Sequence, residues 1–354
     1  MSNRLPGFPG AASRQRVAAS TADWVRPVPV PAGTALPLEV RPDTEVDLPA
    51  WAAEHATTVD GWLHRHGAVL FRGFGIGLDR FAAAAQALAG PALPYRERSS
   101  PRTELAPGVY TSTDHPAHQP IPLHNENSYQ QEFPARLAFC AVVAATDGGG
   151  TPVADCRRVL ARLDPQLVRA FARRGVLYQR NYADGVGMGW REAFQRDSRA
   201  EVEQYCARVG IAVEWRPDGG LRTRQVRPAL AAHPATGEPV WFNHAAFFHL
   251  SGHPPDVQAA LRDEFGEADL PAHSYYGDGA PIEPDVLAAI RAGYDAETAP
   301  VDWRAGDLLV LDNLLVAHGR EPFRGERRVV VSMGGLLRRA DLPELPADLG
   351  AAPR

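Results

Sequence analysis

The second half of the chain consists of many short, strand-like segments that are separated by turn signals. Segments rich in β-branched and aromatic residues alternate with Gly-, Pro- and Asp-containing breaks, as in GVLYQRNY, GIAVEW, EPVWFN, GDLLVLDN and RRVVVSM, with PDGG, PATGE and PFRGE between them. Runs of this length between such breaks are typical of antiparallel strands. The pattern predicts a mainly β fold with flanking helices, a double-stranded β-helix or jelly roll.

The first 45 residues differ in composition from the rest, because they are rich in Pro, Gly, Ala and Ser around the stretch RPVPVPAGTALP. Such a composition is typical of an extended segment on the protein surface. We therefore expect a leader over residues 1–45. Single β domains reach this size, so residues 46–354 are predicted to form one jelly-roll domain with helical insertions.

Two helices have recognisable ends. The apolar run HGAVLFRGF at residues 66–74 predicts a strand, and Asp79 is the expected N-cap of the helix RFAAAAQALAG that follows. In DPQLVRAFARRG, Asp164 is the expected N-cap, Pro165 occupies the first helical position and Gly175 ends the helix.

Composition excludes several classes of function. All 37 basic residues are arginine, since the chain contains no lysine. A P-loop lysine and a lysine Schiff base are therefore both excluded. The net charge is −5 and the arginines are interspersed, without the basic stripe that a nucleic-acid-binding surface needs. Nucleic acid is not an expected partner.

Three cysteines, Cys140, Cys156 and Cys206, occur without CxxC spacing. An odd number of isolated cysteines is typical of reduced, buried thiols in a cytoplasmic protein. The N-terminal residues contain no continuous apolar signal region, and no apolar run approaches the length of a membrane span. The sequence predicts neither export nor a membrane partner.

The stretch PLHNENSY places His124 two residues before Glu126. Residues two apart on a strand share a face, so both side chains could bind one ion. His318 follows an apolar strand near the other end of the chain, and Arg328 begins the next strand after the turn EPFRGE. Two histidines and a carboxylate form the facial triad of non-haem Fe(II) oxygenases, and an arginine suits a carboxylate of a 2-oxo acid.

Other histidines could compete for a metal. They lie in TDHPAHQP and NHAAFFHLSGH and comprise His115, His118, His244, His249 and His253. A zinc hydrolase could use such a set, but the chain has no HExxH motif and no Cys/His pair at structural-zinc spacing. We interpret these histidines as packing or surface residues.

From about Gly67 onward the chain resembles the taurine-dioxygenase-like (TauD/TfdA) family of Fe(II)/2-oxoglutarate-dependent oxygenases, and in particular its clavaminate-synthase-like and syringomycin-pathway branch. The resemblance lies in GAVLFRGF, SSPRTEL, YTSTDHP, IPLHNENSY, FPARLAFC, GGGTPVADCRRV, RTRQVRPAL, HPATGEPVWFN, YYGDGAPIE and WRAGDLLVLDNLLVAHGREPFRGERRVV. The last of these segments is the most specific.

The resemblance implies that His124, Glu126 and His318 bind Fe(II), with 2-oxoglutarate and O2 as co-substrates. It also implies that Arg328 and Thr151 hold the distal carboxylate of 2-oxoglutarate. Taurine dioxygenase has an aspartate where this chain has Glu126, as the clavaminate-synthase branch does. This departure moves the expected substrate from sulfonates toward amino acids, and the retained carboxylate argues against a halogenase.

The implied reaction is hydroxylation of an amino acid, free or tethered to a carrier protein, in natural-product biosynthesis, with release of succinate and CO2. Tyr129 and Asn243 are candidate substrate-binding residues, although core packing and strand capping explain them equally well or better. A substrate carboxylate would need an arginine, and four candidates lie in family-like segments: Arg98, Arg102, Arg224 and Arg227.

Two alternatives stay open from the sequence. The same cofactors could support desaturation or cyclisation instead of hydroxylation, because substrate placement decides between these outcomes. The chain could also be a non-catalytic jelly-roll protein that binds a small molecule. The presence of competent residues at all five ligand and anchor positions favours an enzyme.

Overall fold

The computed structural model describes residues 21–29, 36–95, 97–98, 100, 102–112, 115–183, 187–346 and 349. The strands in this part of the chain are β1 Val25–Pro27, β2 Leu38–Pro42, β3 Ala68–Phe71, β4 Glu104–Ala106, β5 Val109–Thr111, β6 Ile121–His124, β7 Glu132–Val143, β8 Asp147–Gly148, β9 Val153–Asp155, β10 Val176–Tyr182, β11 Ala212–Trp215, β12 Leu221–Arg227, β13 Leu230–Ala232, β14 Pro239–Trp241, β15 Ala272–Tyr276, β16 Thr298–Ala299, β17 Leu308–Asp312, β18 Val316–Arg320, β19 Phe323–Arg324 and β20 Arg328–Arg338.

The α-helices within the same residues are α1 Leu48–Glu54, α2 Ala56–His66, α3 Leu78–Ala89, α4 Cys156–Arg162, α5 Pro165–Arg174, α6 Trp190–Phe194, α7 Arg199–Arg208, α8 Ala245–Phe248, α9 Pro255–Phe265 and α10 Pro284–Glu297. Short 3-10 helices cover Thr21–Trp24, Leu250–Gly252, Glu267–Asp269 and Arg339–Asp341. In the described ranges, no helix combines the length and the apolar character that crossing a bilayer requires. The expectation of a mainly β chain with helices around it is confirmed.

Two sheets carry the site. The larger has eight strands in the order β1-β2-β3-β17-β7-β20-β5-β4, and the smaller has four in the order β16-β9-β18-β6. A third sheet, β11-β12-β10-β15, packs with α6 and α7 around a separate apolar cluster. Two further pairs, β13-β14 and β19-β8, complete the strands of the described residues.

Strand β17 shows why the large sheet holds the molecule together. Its residues alternate between two cores, as the pleat of a strand requires. Leu309 and Leu311 join the cluster that contains Val153 and Val316 of the smaller sheet, whereas Leu308 and Val310 join the cluster formed with α1 to α3. One sheet therefore supplies residues to both clusters.

The smaller sheet brings together distant parts of the chain. Strand β18 pairs antiparallel with β9 on one side and with β6 on the other. In the β18–β6 pair, His318 lies directly opposite His124, and the register shifts between His318 and Arg320. The two histidines are therefore neighbours across a ladder, where side chains on one face come within contact distance.

The predicted leader over residues 1–45 is wrong where the structure describes it. Strands β1 and β2 belong to the large sheet, and β2 pairs parallel with β3. Val25, Leu38 and Val40 are buried, because alternate apolar residues of these strands face the core. Residues 1–20 and 30–35 of the predicted leader lie outside the described residues.

The predicted caps hold at one helix and shift at the other. The Asp164 carboxylate accepts hydrogen bonds from the backbone N–H groups of Gln166 and Leu167, and α5 ends at Gly175 as expected. Helix α3 instead begins at Leu78 after Gly77, so Asp79 lies in the first turn and is not the N-cap. A carboxylate in the first turn is favourable because it faces the positive end of the helix dipole.

Candidate metal centre

His124, Glu126 and His318 converge on one point. Each offers one ligand atom, and these three atoms lie within 4.8 Å of one another. Within the described ranges this is the one group of three or more His, Cys, Asp or Glu side chains with such geometry. Strand β6 ends at His124, so Glu126 lies in the turn that follows, and strand alternation alone does not place its carboxylate.

Both imidazoles are held in the neutral form that a metal needs. The Nδ1 atom of His124 lies 2.9 Å from the carbonyl oxygen of Pro122. An N–H at Nδ1 donates to that oxygen and leaves the lone pair of Nε2 available. Burial lowers the pKa of His124, and burial followed by the neighbouring His124 lowers the pKa of His318 well below its usual value. The Nδ1 atom of His318 is buried and without a hydrogen-bond partner.

The carboxylate of Glu126 is buried in an ion pair. Its Oε2 atom accepts a hydrogen bond of 2.8 Å from Nη2 of Arg102, and both side chains are almost completely excluded from solvent. A buried carboxylate needs such a partner because its desolvation is otherwise very costly. Two imidazoles and one carboxylate form a donor set that fits Fe(II).

Asn313 fixes the backbone of Glu126. Its Oδ1 atom accepts from the backbone N–H of Glu126 at 2.8 Å, and its Nδ2 atom donates to the carbonyl oxygens of Glu126 and Pro134, both at 2.9 Å. Asn313 is fully buried between β17 and β18, and its own carbonyl oxygen accepts from Nδ2 of Asn125. One amide therefore ties the turn that carries Glu126 to the segment that leads into His318.

A pocket opens beside the three ligand residues. Its described wall is cationic, because three arginines and no Asp or Glu are among the described residues that line it. The lining residues are Arg102, Ser112, Ile121, His124, Phe139, Thr151, His318, Gly319, Arg320, Arg327, Val329 and Val331.

The pocket wall contains Arg327, whereas the predicted anchor Arg328 does not line it. Arg327, which precedes β20, lines the pocket with Val329 and Val331, while Arg328 is exposed. Burial, and secondarily the charge of Arg320, lowers the pKa of Arg327 to about 10. Its Nε atom donates to the carbonyl oxygen of Gly149.

Thr151 lies in the pocket wall as expected. Its hydroxyl oxygen accepts a hydrogen bond of 3.0 Å from Nε1 of Trp303, and its backbone N–H donates to Val301. Because the indole N–H can only donate, the hydroxyl hydrogen of Thr151 is left to point elsewhere. Trp303 was not among the residues that the sequence singled out for the site.

The two predicted substrate residues do not line this pocket. Tyr129 is fully buried, donates its hydroxyl hydrogen to the carbonyl oxygen of Glu97, and packs against His244 and Phe248. Asn243 bonds only to backbone groups, donating to Ala229 and accepting from Ala245. These contacts are of the packing and capping kind that the sequence offered as the alternative, and a substrate role for either residue stays a prediction.

Of the four candidate arginines, Arg102 is the one that lines the pocket. Arg98 donates to the carbonyl oxygen of Tyr95, exposed Arg224 to the side chain of Gln179, and Arg227 to the carbonyl oxygen of Val209. The sequence could not separate them, because the contact that distinguishes Arg102 is made with Glu126 in another segment.

A family model described as "Taurine catabolism dioxygenase TauD, TfdA family" matches residues 30–333. The dapdiamide synthesis protein DdaC of Enterobacter agglomerans is 42% identical over 276 residues, covering 78% of this chain and 84% of that protein. A clavaminate synthase-like protein of Arabidopsis thaliana is 30% identical over 321 residues, covering 86% of this chain and 93% of that protein.

Among solved structures, one described as "PvcB, an Fe, alpha-ketoglutarate dependent oxygenase from an isonitrile synthetic pathway" superposes with a TM-score of 0.53 at 17% identity and covers 96% of this chain and all of that chain (100%). A structure of PvcB from Pseudomonas aeruginosa gives a TM-score of 0.52 at 18% identity, covering 96% and 99% of the two chains. At these identities the likeness concerns the fold, and it confirms the expected jelly roll.

Proposed function

We propose that this chain, which belongs to the TauD/TfdA family and is an Fe(II)- and 2-oxoglutarate-dependent oxygenase, hydroxylates a C–H bond of its substrate. The substrate is amino-acid-like, and the reaction serves the biosynthesis of a natural product. Succinate and CO2 are the accompanying products. The observation that carries this proposal is the convergence of two imidazoles and a carboxylate within 4.8 Å at the wall of a cationic pocket.

We assign His124, Glu126 and His318 as the residues that hold the iron. Bound Fe(II), with 2-oxoglutarate and O2, supplies the oxidation that no amino-acid side chain can perform. The chain's own contribution is position. Pro122 sets the tautomer of His124, and Arg102 and Asn313 hold the carboxylate and the backbone of Glu126. Phe139 packs on the ring of His318 and Phe247 on that of His124.

We assign Arg327 and Thr151 to the distal carboxylate of 2-oxoglutarate. The Arg327 side chain is half-buried, lines the pocket and donates to Gly149 and to the Ser112 hydroxyl, without an ion pair to a described residue. A partly desolvated guanidinium without an ion pair is stabilised by an anion. The Thr151 hydroxyl already accepts from Trp303, so its hydrogen is oriented as a donor.

The substrate class rests on two supports. DdaC is by name a dapdiamide synthesis protein, and the chain shares 42% of its residues over the matched length. The carboxylate ligand is a glutamate, as in the clavaminate-synthase branch. The substrate is a small molecule, free or tethered to a carrier protein. The three free, buried cysteines support a reducing, cytoplasmic compartment.

The first test measures succinate release and product mass. Fe(II)-loaded protein is incubated with 2-oxoglutarate, O2 and a panel of amino acids, free and loaded on a carrier protein. We expect oxygen-dependent succinate and a product heavier by one oxygen atom, and neither with His124→Ala. A product lighter by two hydrogens would instead indicate desaturation or cyclisation. Unchanged turnover in His124→Ala would refute the metal assignment.

Retention of iron with no succinate from any substrate would favour the non-catalytic binding protein. The matched control is His253→Ala, since His253 is the exposed C-cap of the short 3-10 helix Leu250–Gly252 and does not line the pocket. This variant should keep both iron and turnover.

A further inference from the structure

The guanidinium of Arg102 has donors that no described residue accepts. Its Nη2 atom donates to Glu126, but its Nε and Nη1 atoms are buried and have no hydrogen-bond partner. These two atoms carry three of the five N–H donors of an arginine. The side chain is only 4% exposed, so bulk water does not replace the missing acceptors.

Arg102 lies in the wall of the ligand pocket. The residue lines the same pocket as His124 and His318. Its guanidinium lies 4.7 Å from the centre of the Tyr95 ring, which supports it from one side. A buried charged group with unpaired donors is unfavourable unless an acceptor arrives. The geometry therefore calls for an anion in the pocket beside the metal ligands.

The co-substrate does not supply this anion if the proposed function holds. One carboxylate of 2-oxoglutarate is used in chelating the metal, and the other is assigned to Arg327 and Thr151. The donors of Arg102 then remain for the second molecule that enters the pocket. Among the described residues that line the pocket there is no Asp or Glu to compete for them.

We propose that the primary substrate carries a carboxylate close to the carbon that reacts, and that Arg102 binds this carboxylate while holding Glu126. Arg102 is thus a specificity-determining residue that selects acids over the corresponding neutral amides. Because the same guanidinium contacts a metal ligand and the substrate, it also fixes the distance between them.

The test is a thermodynamic cycle that combines two changes, from an acid to its carboxamide in the ligand and from Arg102 to glutamine in the protein. Under anaerobic conditions, the charge-transfer absorption of the protein with Fe(II) and 2-oxoglutarate is recorded, and its change on adding each ligand gives a dissociation constant. The ligands are free amino acids, dicarboxylic ones included, beside their carboxamides. The variants are Arg102→Gln and, as matched control, Arg224→Gln, which removes an exposed arginine outside the pocket.

We expect at least one acid to bind the wild type about 30-fold more tightly than its amide, the size of a charge-assisted hydrogen bond. Arg102→Gln should abolish that preference, leave amide binding unchanged and alter 2-oxoglutarate affinity by less than about 3-fold. Arg224→Gln should behave as the wild type. Mn(II) affinity is measured in each variant, and Arg102→Lys replaces the glutamine variant if the latter loses metal.

Three results would overturn the inference. Equal losses for acid and amide would mean that Arg102 acts only through Glu126. A parallel loss of 2-oxoglutarate affinity would assign the donors to the co-substrate. If no acid bound to the wild type, the proposal that the pocket binds a substrate carboxylate would be wrong. Absence of the charge-transfer absorption in the wild type would be a different failure, because it would refute the proposed function itself.

Discussion

Replacing Asn313 by alanine should loosen the metal site more than it loosens the fold. The amide makes three hydrogen bonds to the backbone of Glu126 and Pro134, at 2.8, 2.9 and 2.9 Å. Each bond of this kind contributes about 1 kcal/mol net, so the free energy of unfolding should fall by about 3 kcal/mol. The free energy of unfolding of a domain is typically about 5–15 kcal/mol, so the variant should still fold.

The effect on the metal has a separate physical origin. Without the amide, the turn that carries Glu126 is no longer tied to the segment that precedes His318, so the carboxylate loses its fixed position. Loss of a residue that orients a metal ligand typically weakens binding by about 10- to 100-fold. Mn(II) titration followed by electron paramagnetic resonance would measure the affinity, and urea unfolding would measure stability.

Asn243→Ala is the matched control. Asn243 is also a buried asparagine that bonds to backbone groups, at Ala229 and Ala245, but it does not line the pocket. Its loss should cost about 2 kcal/mol of stability and leave Mn(II) affinity unchanged. If both variants bound Mn(II) as the wild type does, or lost affinity in proportion to their stability, the positioning role of Asn313 would be wrong.

Three further outcomes are expected. Arg327→Gln should raise the KM for 2-oxoglutarate by about 10- to 150-fold, since it removes charge-assisted hydrogen bonds. Arg328→Gln should leave that KM unchanged. If steady-state kinetics gave the opposite result for the two variants, Arg328 would be the anchor. Thr151→Val should raise the same KM by about 5-fold, the loss of one neutral hydrogen bond, and an unchanged KM would remove Thr151 from the site. Burial lowers the pKa of His244 well below its usual value, so the unfolded chain binds a proton below about pH 6.5 that the folded protein does not. Stability should therefore decline as the pH falls below about 6.5, by up to about 1.4 kcal/mol per pH unit from this residue, and urea unfolding of His244→Phe between about pH 7 and 5 should show a flatter slope.

The metal-binding pattern could be predicted because its chemistry is visible in residue types. A histidine two residues before a glutamate, with a second histidine after a late apolar strand, already indicates a triad in the linear sequence. The partners of the triad could not be predicted in this way. Arg102 and Asn313 belong to other segments of the chain and form hydrogen bonds with Glu126. A linear sequence does not show which arginine or asparagine will make such a contact.

The different environments of Arg327 and Arg328 show how sensitive strand predictions are to register. A shift of one residue exchanges the two faces of a strand, so neighbouring arginines receive opposite environments. The β20–β7 pairing also changes register between Arg328 and Val329, which obscures the alternation at its start. The prediction of a leader over residues 1–45 missed strand β2 for a related reason. The alternation of Leu38 and Val40 is short and lies in a proline-rich stretch, so it is hard to recognise in the sequence.

The order of strands in the large sheet has a consequence for protein synthesis. Strands β3 and β7 are made early, but β17 separates them, and β20 separates β7 from β5. When the first half of the chain has been synthesised, both edges of β7 are still unpaired, because its partners β17 and β20 have not yet been translated. Open strand edges are sites of aggregation, so the nascent chain needs protection until its last strands emerge. A truncated transcript ending before β17 would yield a polypeptide for degradation rather than a smaller working protein.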